Sequence, residues 1–232
     1  MDMRCPGARF IRQPEPELFR CRSCGWEVEI WTDELKRACP KCGNEVTRLT
    51  EMSCIEWCKM AGECVGEPQF EQYMANRVRT WKSKLLERVD EHFRKDSRRK
   101  EHARNVLLIA EELMAEGGGD PHIVVPAAIL HDIGIKEGEE GHDRRGAELS
   151  KKILLREGFQ MEHVEEICEI IAHHHSYDYT DTMNFKIVYD ADRIVNLEDH
   201  TDRFELQEIE ETIGHTFLTS TGKRLARERF LT

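Results

Sequence analysis

Two cysteine pairs near the start of the chain restrict its fold more than any other feature. Residues 21–42 read CRSCGWEVEIWTDELKRACPKC, in which two Cys-x2-Cys pairs are separated by fourteen residues. A turn of this type directs two thiolates towards one point, and two such turns complete a tetrahedral site with four sulfur ligands. The intervening WEVEIW alternates apolar and polar residues, as a short strand does. This segment therefore predicts a small β module built around four thiols.

Cysteine chemistry belongs to the N-terminal part of the chain, because eight of the nine cysteines lie at or before Cys64. Clustered pairs in an intracellular protein favour a metal over disulfides. We predict a zinc-ribbon-like module over residues 1–50, with a structural zinc held by Cys21, Cys24, Cys39 and Cys42. Two solvent-exposed dithiols, the alternative, would be open to oxidation.

A second thiolate site is a separate hypothesis. The cysteines that remain in the N-terminal segment are four in number, which is enough for another zinc or an iron–sulfur cluster; they are Cys5, Cys54, Cys58 and Cys64. Small buried hydrophobic residues are the alternative reading of these positions. The segment 51–95 continues into a predicted connector helix, because apolar residues recur at helical spacing from Met74 to Val89.

The remainder of the chain has a helical pattern throughout. EHARNVLLIAEELMAEGGG has helical periodicity and ends in three glycines, which terminate a helix. Asp120 and Pro121 then suit the N-cap and first position of the next helix. No strand-rich stretch follows. We therefore predict an all-α bundle over residues 96–232, and a chain that is mainly α with a small β module in front.

Composition limits the class of protein. The chain is 34% charged and 39% hydrophobic, and it contains no apolar run near the roughly 20 residues that a membrane helix requires. The start, MDMRCPGARF, lacks the apolar core of a signal peptide. These features predict a cytoplasmic protein without a membrane partner. Residues 1–50 have a net charge of +1, which argues against strong binding of nucleic acid.

Charge is distributed unevenly along the helical part. Residues 77–104 contain 11 Lys and Arg against 5 Asp and Glu, whereas residues 105–232 contain 13 against 27. The basic stretch is either a solvated helix face or a patch that attracts an anionic substrate.

An ionisable pair, His131 and Asp132, stands inside the apolar stretch PAAILHDIGI. Burial of a carboxylate is costly unless the group is paired or binds a metal. Candidate partners occur along the same module; they are His102, His142, His173 to His175, Asp190 and Asp192. Two imidazoles with two carboxylates suit Mn, Fe, Co, Zn or Mg, and leave positions open for water and a phosphate oxygen.

Three segments resemble helices of the HD superfamily of metal-dependent phosphohydrolases: EHARNVLLIA, AAILHDIGI and DADRIVN. The last is also similar to the ADRxxN stretch of stringent-response nucleotide hydrolases. The resemblance covers about residues 95–200. It implies that His102, His131, Asp132 and Asp192 bind the metal, that Asp132 also holds the attacking water as a catalytic residue, and that Asp190 lies behind the ligands.

A second metal is suggested by IIAHHHSYD, which resembles the IxxHHExxD segment of the HD-GYP phosphodiesterases, with His175 in place of the Glu. The resemblance makes His142, His173 and His174 candidates for a second metal or for substrate contacts. Helical periodicity from Val164 would instead point His174 and His175 inward. The choice among the three consecutive histidines stays open.

Substrate contacts are less well marked. Lys136 follows HDIG one residue later than in the HDIGK pattern of the family, and either contacts phosphate during catalysis or is solvated. Weaker candidates for substrate binding are Arg104, Arg145, Arg193 and Asn196.

The leading hypothesis is a phosphohydrolase that cleaves a nucleotide, or another small phosphate ester or diester, by metal-activated water. Two alternatives remain. One is a regulatory protein whose ribbon binds a partner while the HD module senses a ligand; the other is a di-iron HD oxygenase. The oligomeric state is left open.

Overall fold

The computed structural model describes residues 13–34, 36–47, 54–56, 58–138, 140–177, 179–198 and 204–231. The chain divides into two compact units, Met1–Thr80 and Trp81–Thr232. The division falls inside a long helix, Glu67–Phe93. The domain boundaries predicted after residues 50 and 95 remain predictions.

The first unit contains two antiparallel hairpins. Their strands are β1 (Pro16–Arg20), β2 (Glu27–Trp31), β3 (Lys36–Ala38) and β4 (Glu45–Thr47). In the first hairpin Arg20 pairs with Glu27, and β3 pairs with β4 in the second. Strand β2 alternates as predicted, because Val28 and Ile30 are buried and the glutamates between and before them are exposed. The two side chains pack with Cys21, Cys39 and Val46 in a small core.

A helical part completes the first unit. It comprises a 3-10 turn (Cys54–Glu56), α1 (Ala61–Val65) and α2 (Glu67–Phe93), which continues into the second unit. Ile55 and Val65 form an apolar cluster with Tyr73. The Tyr73 hydroxyl donates a hydrogen bond to Glu56 at 2.9 Å, and Arg77 lies 3.3 Å from the same carboxylate. A buried charge is thus paired, as its desolvation requires.

The second unit is helical throughout its described residues. Its elements after α2 are α3 (Ser97–Gly117), α4 (Pro121–Leu130), a 3-10 turn (Ile133–Glu137), α5 (His142–Arg156), α6 (Met161–His173), α7 (Met183–Glu198), α8 (Leu206–Thr216) and α9 (Ser220–Phe230). The prediction of a mainly α chain with a small β module is confirmed.

Helix α4 is the centre of this unit. It packs against α3, α6 and α7, and every residue from Ile123 to Leu130 is buried. Asp120 is its N-cap and accepts a hydrogen bond from His122 N at 2.8 Å, with Pro121 in the first position, as predicted. An all-round apolar helix belongs inside a core, so the residues at its end, His131 and Asp132, enter the interior.

No helix in the described ranges is both long enough and apolar enough to span a membrane.

Candidate metal centre

One group of potential ligands joins three helices. His102 comes from α3, His131 from the end of α4 and Asp192 from α7. The Nε2 atoms of the two histidines are 3.2 Å apart. Asp192 Oδ1 lies 3.2 Å from Nε2 of His102 and 3.5 Å from Nε2 of His131. Three donor atoms therefore converge within 4.8 Å of one another, and two of the residues, His131 and Asp192, are buried.

A second group lies beside the first. His142 is the first residue of α5, and His174 and His175 follow the end of α6. The Nε2 atoms of His142 and His175 are 3.2 Å apart. Together with Asp132, these three histidines also present four ligand atoms within 4.8 Å of one another.

Asp132 contributes one carboxylate oxygen to each group. Its Oδ2 lies 3.8 Å from the Nε2 atoms of both His102 and His131. Its Oδ1 lies 3.3 Å from Nε2 of His142 and 3.6 Å from Nε2 of His174. A carboxylate with this placement can bridge two cations.

Backbone contacts orient two of the imidazoles. His131 Nδ1 donates to the Ala128 carbonyl at 2.8 Å, and His174 Nδ1 donates to the Ile171 carbonyl at 2.7 Å. A carbonyl oxygen only accepts, so the proton of each neutral ring lies on Nδ1 and Nε2 keeps its lone pair. In its neutral form each ring therefore presents an unprotonated nitrogen to its group, the arrangement that metal-binding histidines use.

Two glycines bring the second group to Asp132. A Cβ atom on Gly134 would lie 2.1 Å from the His142 carbonyl and 2.4 Å from Gly146 N. The turn after Asp132 thus touches the backbone of α5 directly. Only glycine allows this approach, and His142, at the start of α5, is placed within reach of Asp132 as a result.

The residues present fit metal ions. Within the described part of the chain, His174 Nε2 and Asp192 Oδ2 are buried and have no hydrogen-bond partner. Buried polar atoms of this kind are costly unless something binds them. Imidazole nitrogens and carboxylate oxygens are ligands that first-row divalent ions accept, so two cations would satisfy these atoms and neutralise both carboxylates.

The electrostatics favour the ionised carboxylates. Burial alone would raise the pKa of a carboxyl group, but the neighbouring histidines hold the pKa of Asp132 and of Asp192 far below the usual range. Burial would lower the pKa of His131, yet the adjacent Asp132 raises it to about 9. For His175, burial and the nearby His174 lower the pKa to about 4. At neutral pH and without a metal, the centre therefore holds two carboxylates, a protonated His131 and an unprotonated His175.

The structure does not bring His173 to the second group; His175 is there instead. The His173 ring stacks on Tyr179 with 3.7 Å between centroids and 6° between planes, and its Nε2 lies 3.8 Å from Glu169. Of the three histidines, His174 is fully buried, His173 is half-buried and His175 is exposed. The helical periodicity in the sequence gave the correct signal for the burial of His174.

Lys136 borders a cavity beside the metal centre. The cavity has a volume of 460 Å³ and is lined by Phe93, Asp96, Arg99, Ile135, Lys136 and Gly138. Lys136 Nζ donates to the His92 carbonyl at 2.8 Å. Arg99, which the sequence reasoning missed, places a guanidinium nitrogen 3.3 Å from Asp132 Oδ2. Its position one helical turn before His102 was a signal that it shares that face of α3.

The weaker substrate candidates make other contacts. Arg104 pairs with both carboxylate oxygens of Asp90, at 2.7 and 2.6 Å. Arg145 donates to the carbonyls of Gly138 and Glu140. Arg193 lies over the Tyr189 ring, 5.0 Å from its centroid, and Asn196 is half-buried on α7. Of these, Arg193 is next in sequence to a residue of the first group.

Asp190 forms its hydrogen bonds with residues at the start of the last helix, α9. Its carboxylate accepts hydrogen bonds from Leu218 N, Thr219 N and the Thr219 hydroxyl at 2.7–2.8 Å. A Cβ on Gly222 would lie 2.3 Å from Asp190 Oδ2, so α9 approaches closely. Burial raises the pKa of this carboxyl group, whereas those hydrogen bonds act to lower it, and the net effect is an increase. Asp190 thus fastens the start of α9 to α7.

The four ribbon cysteines form a separate cluster. All four sulfurs lie within 4.8 Å of one another, and the pairs Cys21–Cys42 and Cys24–Cys39 are each 3.6 Å apart. Sulfurs bound at about 2.3 Å to a tetrahedral zinc would be about 3.8 Å apart. The spacing therefore fits a tetrahedral metal ion.

The hypothesis of a second four-cysteine site involves two side chains that the structure does not describe. Cys5 and the side chain of Cys54 lie outside the described residues. Cys58 and Cys64 are half-buried and pack on the apolar cluster of Ile55 and Tyr73. The contacts of these two cysteines are those of small packing residues.

Comparison with known proteins finds two similarities. Residues 99–197 match the HD domain family. The structure is similar to the crystal structure, at 1.45 Å resolution, of a predicted HD superfamily hydrolase from an uncultured Thermotogales bacterium. The two chains are 26% identical with a TM-score of 0.50, and the match covers 64% of this chain and 84% of the other. The chain matched none of the curated proteins with which it was compared. The segment that matches the HD domain family, residues 99–197, contains both groups of the metal centre.

Proposed function

We propose that the protein is a metal-dependent hydrolase of the HD superfamily that cleaves a small phosphate ester, and that nucleotides are among its substrates. The observation that carries the proposal is the position of Asp132. One of its oxygens faces His102 and His131 of the first group, and the other faces His142 and His174 of the second.

The metal ligands follow from that arrangement. His102, His131, Asp132 and Asp192 would hold one divalent ion, and Asp132, His142, His174 and His175 would hold another. When bound, such ions polarise a phosphoryl group and lower the pKa of water, so that a nucleophile is available at neutral pH. With such ions bound, this step requires no separate strong base.

The surrounding residues orient the substrate. Arg99 and Lys136 line the cavity next to Asp132, and a guanidinium or an ammonium group can bind phosphate oxygens. Arg99 contacts Asp132 at 3.3 Å without a metal. A cation that neutralises the carboxylate would free this guanidinium for an anionic substrate. The buried Nδ1 contacts of His131 and His174 hold the two rings during the reaction.

We propose further that the four-thiol site binds zinc and has a structural role. The spacing of the sulfurs supports this assignment, and a site closed by four protein ligands has no position for substrate.

The test is hydrolysis by purified, metal-loaded protein on a panel of nucleotides and phosphoesters, with metals counted per chain. We expect phosphate release that depends on a divalent ion, and up to three metal ions per chain including the ribbon zinc. If protein with filled metal sites hydrolyses no compound of the panel, the proposal is refuted.

A di-iron oxygenase is a second candidate, because the second group contains three imidazoles, a donor set that iron accepts. Oxygen consumption by protein loaded with two irons, without phosphate release from the panel, would favour this candidate.

A further inference from the structure

A cluster of cations borders the cavity beside the metal centre. Residues 94–100 read RKDSRRK, with five Lys and Arg against one Asp; we call them the basic turn. They connect α2 to α3 and include the first turn of α3. Asp96 and Arg99 of the basic turn line the cavity, together with Lys136. The basic turn is therefore part of the approach to the centre.

Several of these charges are not neutralised by carboxylates. The Lys100 ammonium donates to the Arg94 carbonyl, and the Lys136 ammonium donates to the His92 carbonyl. A carbonyl oxygen has no net charge, so both cations keep theirs. Asp96 is occupied as the cap of α3, where its side chain accepts from Arg99 N at 3.1 Å. Arg94 and Lys95 are exposed, and neither side chain forms an ion pair with any described residue.

The remainder of the second unit has the opposite sign. Residues 105–232 contain 27 Asp and Glu against 13 Lys and Arg. Arginines of α9 are paired, Arg224 with Glu116, Arg227 with Glu210 and Arg229 with Glu112. A positive region on an acidic domain attracts anions to that region, and here Arg99 of the region lines the cavity beside the metal centre.

We infer that the basic turn recognises phosphate groups other than the one that is cleaved, and that the substrate is a nucleotide-sized compound with at least two phosphates. This inference rests on the proposed function. A volume of 460 Å³ accommodates a small ligand. Five cations within seven residues, followed by an acidic sequence from residue 105 onwards, suit a short polyanion, because a long nucleic acid would also meet acidic residues.

The experiment compares a test variant that lacks two charges of the basic turn with a control variant that lacks two charges of α5. The test variant is Arg94→Gln with Lys95→Gln. The matched control is Lys151→Gln with Lys152→Gln, on the exposed side of α5; these lysines also form no ion pair with a described residue. For each protein, kcat/KM is measured for p-nitrophenyl phosphate and for a nucleoside mono-, di- and triphosphate, at 50 and 200 mM salt.

We expect the ratio of kcat/KM for the triphosphate to that for p-nitrophenyl phosphate to fall about tenfold in the test variant at low salt, and to be unchanged in the control. High salt should reduce the difference, because screening weakens the attraction. Equal ratios in all three proteins would overturn the inference, as would stronger inhibition by a single-stranded oligonucleotide than by the triphosphate.

Failure of the proposed function is distinguishable. It would appear as no hydrolysis of any of these compounds, p-nitrophenyl phosphate included. Binding of a fluorescent nucleoside triphosphate, followed by anisotropy, then still decides the role of the basic turn. A Kd about tenfold weaker in the test variant than in the control would support recognition of phosphate there, and equal Kd values would refute it.

Discussion

The four-thiol site and the His/Asp centre position their ligands by different means. In the ribbon, Gly25 N donates to the Cys21 carbonyl and Gly43 N to the Cys39 carbonyl, both at 2.8 Å. Each cysteine pair is thus shaped by its own turn. The His/Asp centre draws its ligands from segments spread between residues 102 and 192, and only the packing of the helices unites them. The ribbon should therefore depend on its metal for folding, whereas the centre should fold first and bind metal afterwards.

The largest expected effect is that of Asp132→Ala. Because this carboxylate faces both groups, we expect loss of both metals of the centre and a fall in kcat of about a thousandfold or more, while the ribbon keeps its zinc. Metal analysis and phosphate release are the measurements. Asp132→Asn serves as the isosteric control for folding. Loss of zinc in either variant would contradict the independence of the two sites.

The complementary change is Cys39→Ser. We expect release of one zinc per chain and rapid proteolysis of residues 13–47, because metal binding supplies much of the folding energy of so small a module. Hydrolysis should fall less than twofold. Limited proteolysis with metal analysis is the measurement. A variant that keeps its zinc and its protease resistance would show that the ribbon folds without its metal.

Gly134→Ala tests whether backbone contact positions the second group. The new Cβ would clash with the His142 carbonyl, so we expect a loss of about 1–3 kcal/mol in the free energy of unfolding and weaker binding of one of the two metals. Gly214→Ala in α8 is the matched control, because a Cβ there meets nothing within 4 Å. Denaturant unfolding and metal titration are the measurements; equal behaviour of the two variants would contradict the role of Gly134.

A smaller effect is expected from Asp190→Asn. The carboxylate accepts three hydrogen bonds at the start of α9, and an amide can accept at one of its two positions only. We expect about 1–3 kcal/mol lower stability, measured by denaturant unfolding. Unchanged metal content would separate this role from that of Asp192, and loss of a metal would show that Asp190 also supports the ligands.

The smallest effects compare neighbouring histidines. His175→Ala should weaken binding of the second metal about tenfold, because it removes a ligand. His173→Ala should change it less than twofold, because that ring stacks on Tyr179 outside the group. Metal titration of both variants is the measurement. A larger loss of metal affinity in His173→Ala than in His175→Ala would show that His173 is a ligand.

The sequence predicted what depends on local pattern or on a recognisable motif. The ribbon strand, the cap at Asp120 and the mainly α fold were predictable, because propensity and periodicity encode them. The resemblance named His102, His131, Asp132 and Asp192, which the structure brings together.

Other features depend on distant neighbours and were not predictable. Arg99 shares a face of α3 with His102, but its contact with Asp132, 33 residues further along the chain, depends on how the helices pack. Asp190 resembled a residue behind the ligands, but its partners are Leu218 and Thr219, beyond the segment that carries the resemblance. Gly134 was visible as part of HDIG, yet its purpose depends on the approach of α5.

The hydrogen bonds of Asp190 also bear on where this domain ends. The family match stops at residue 197, which separates this buried carboxylate from its donors at Leu218 and Thr219. A recombinant fragment cut at the limits of the family match would lose the three hydrogen-bond donors of this carboxylate, which is two residues from a metal ligand. We therefore expect a fragment that ends at residue 197 to be less stable than one that extends through α9.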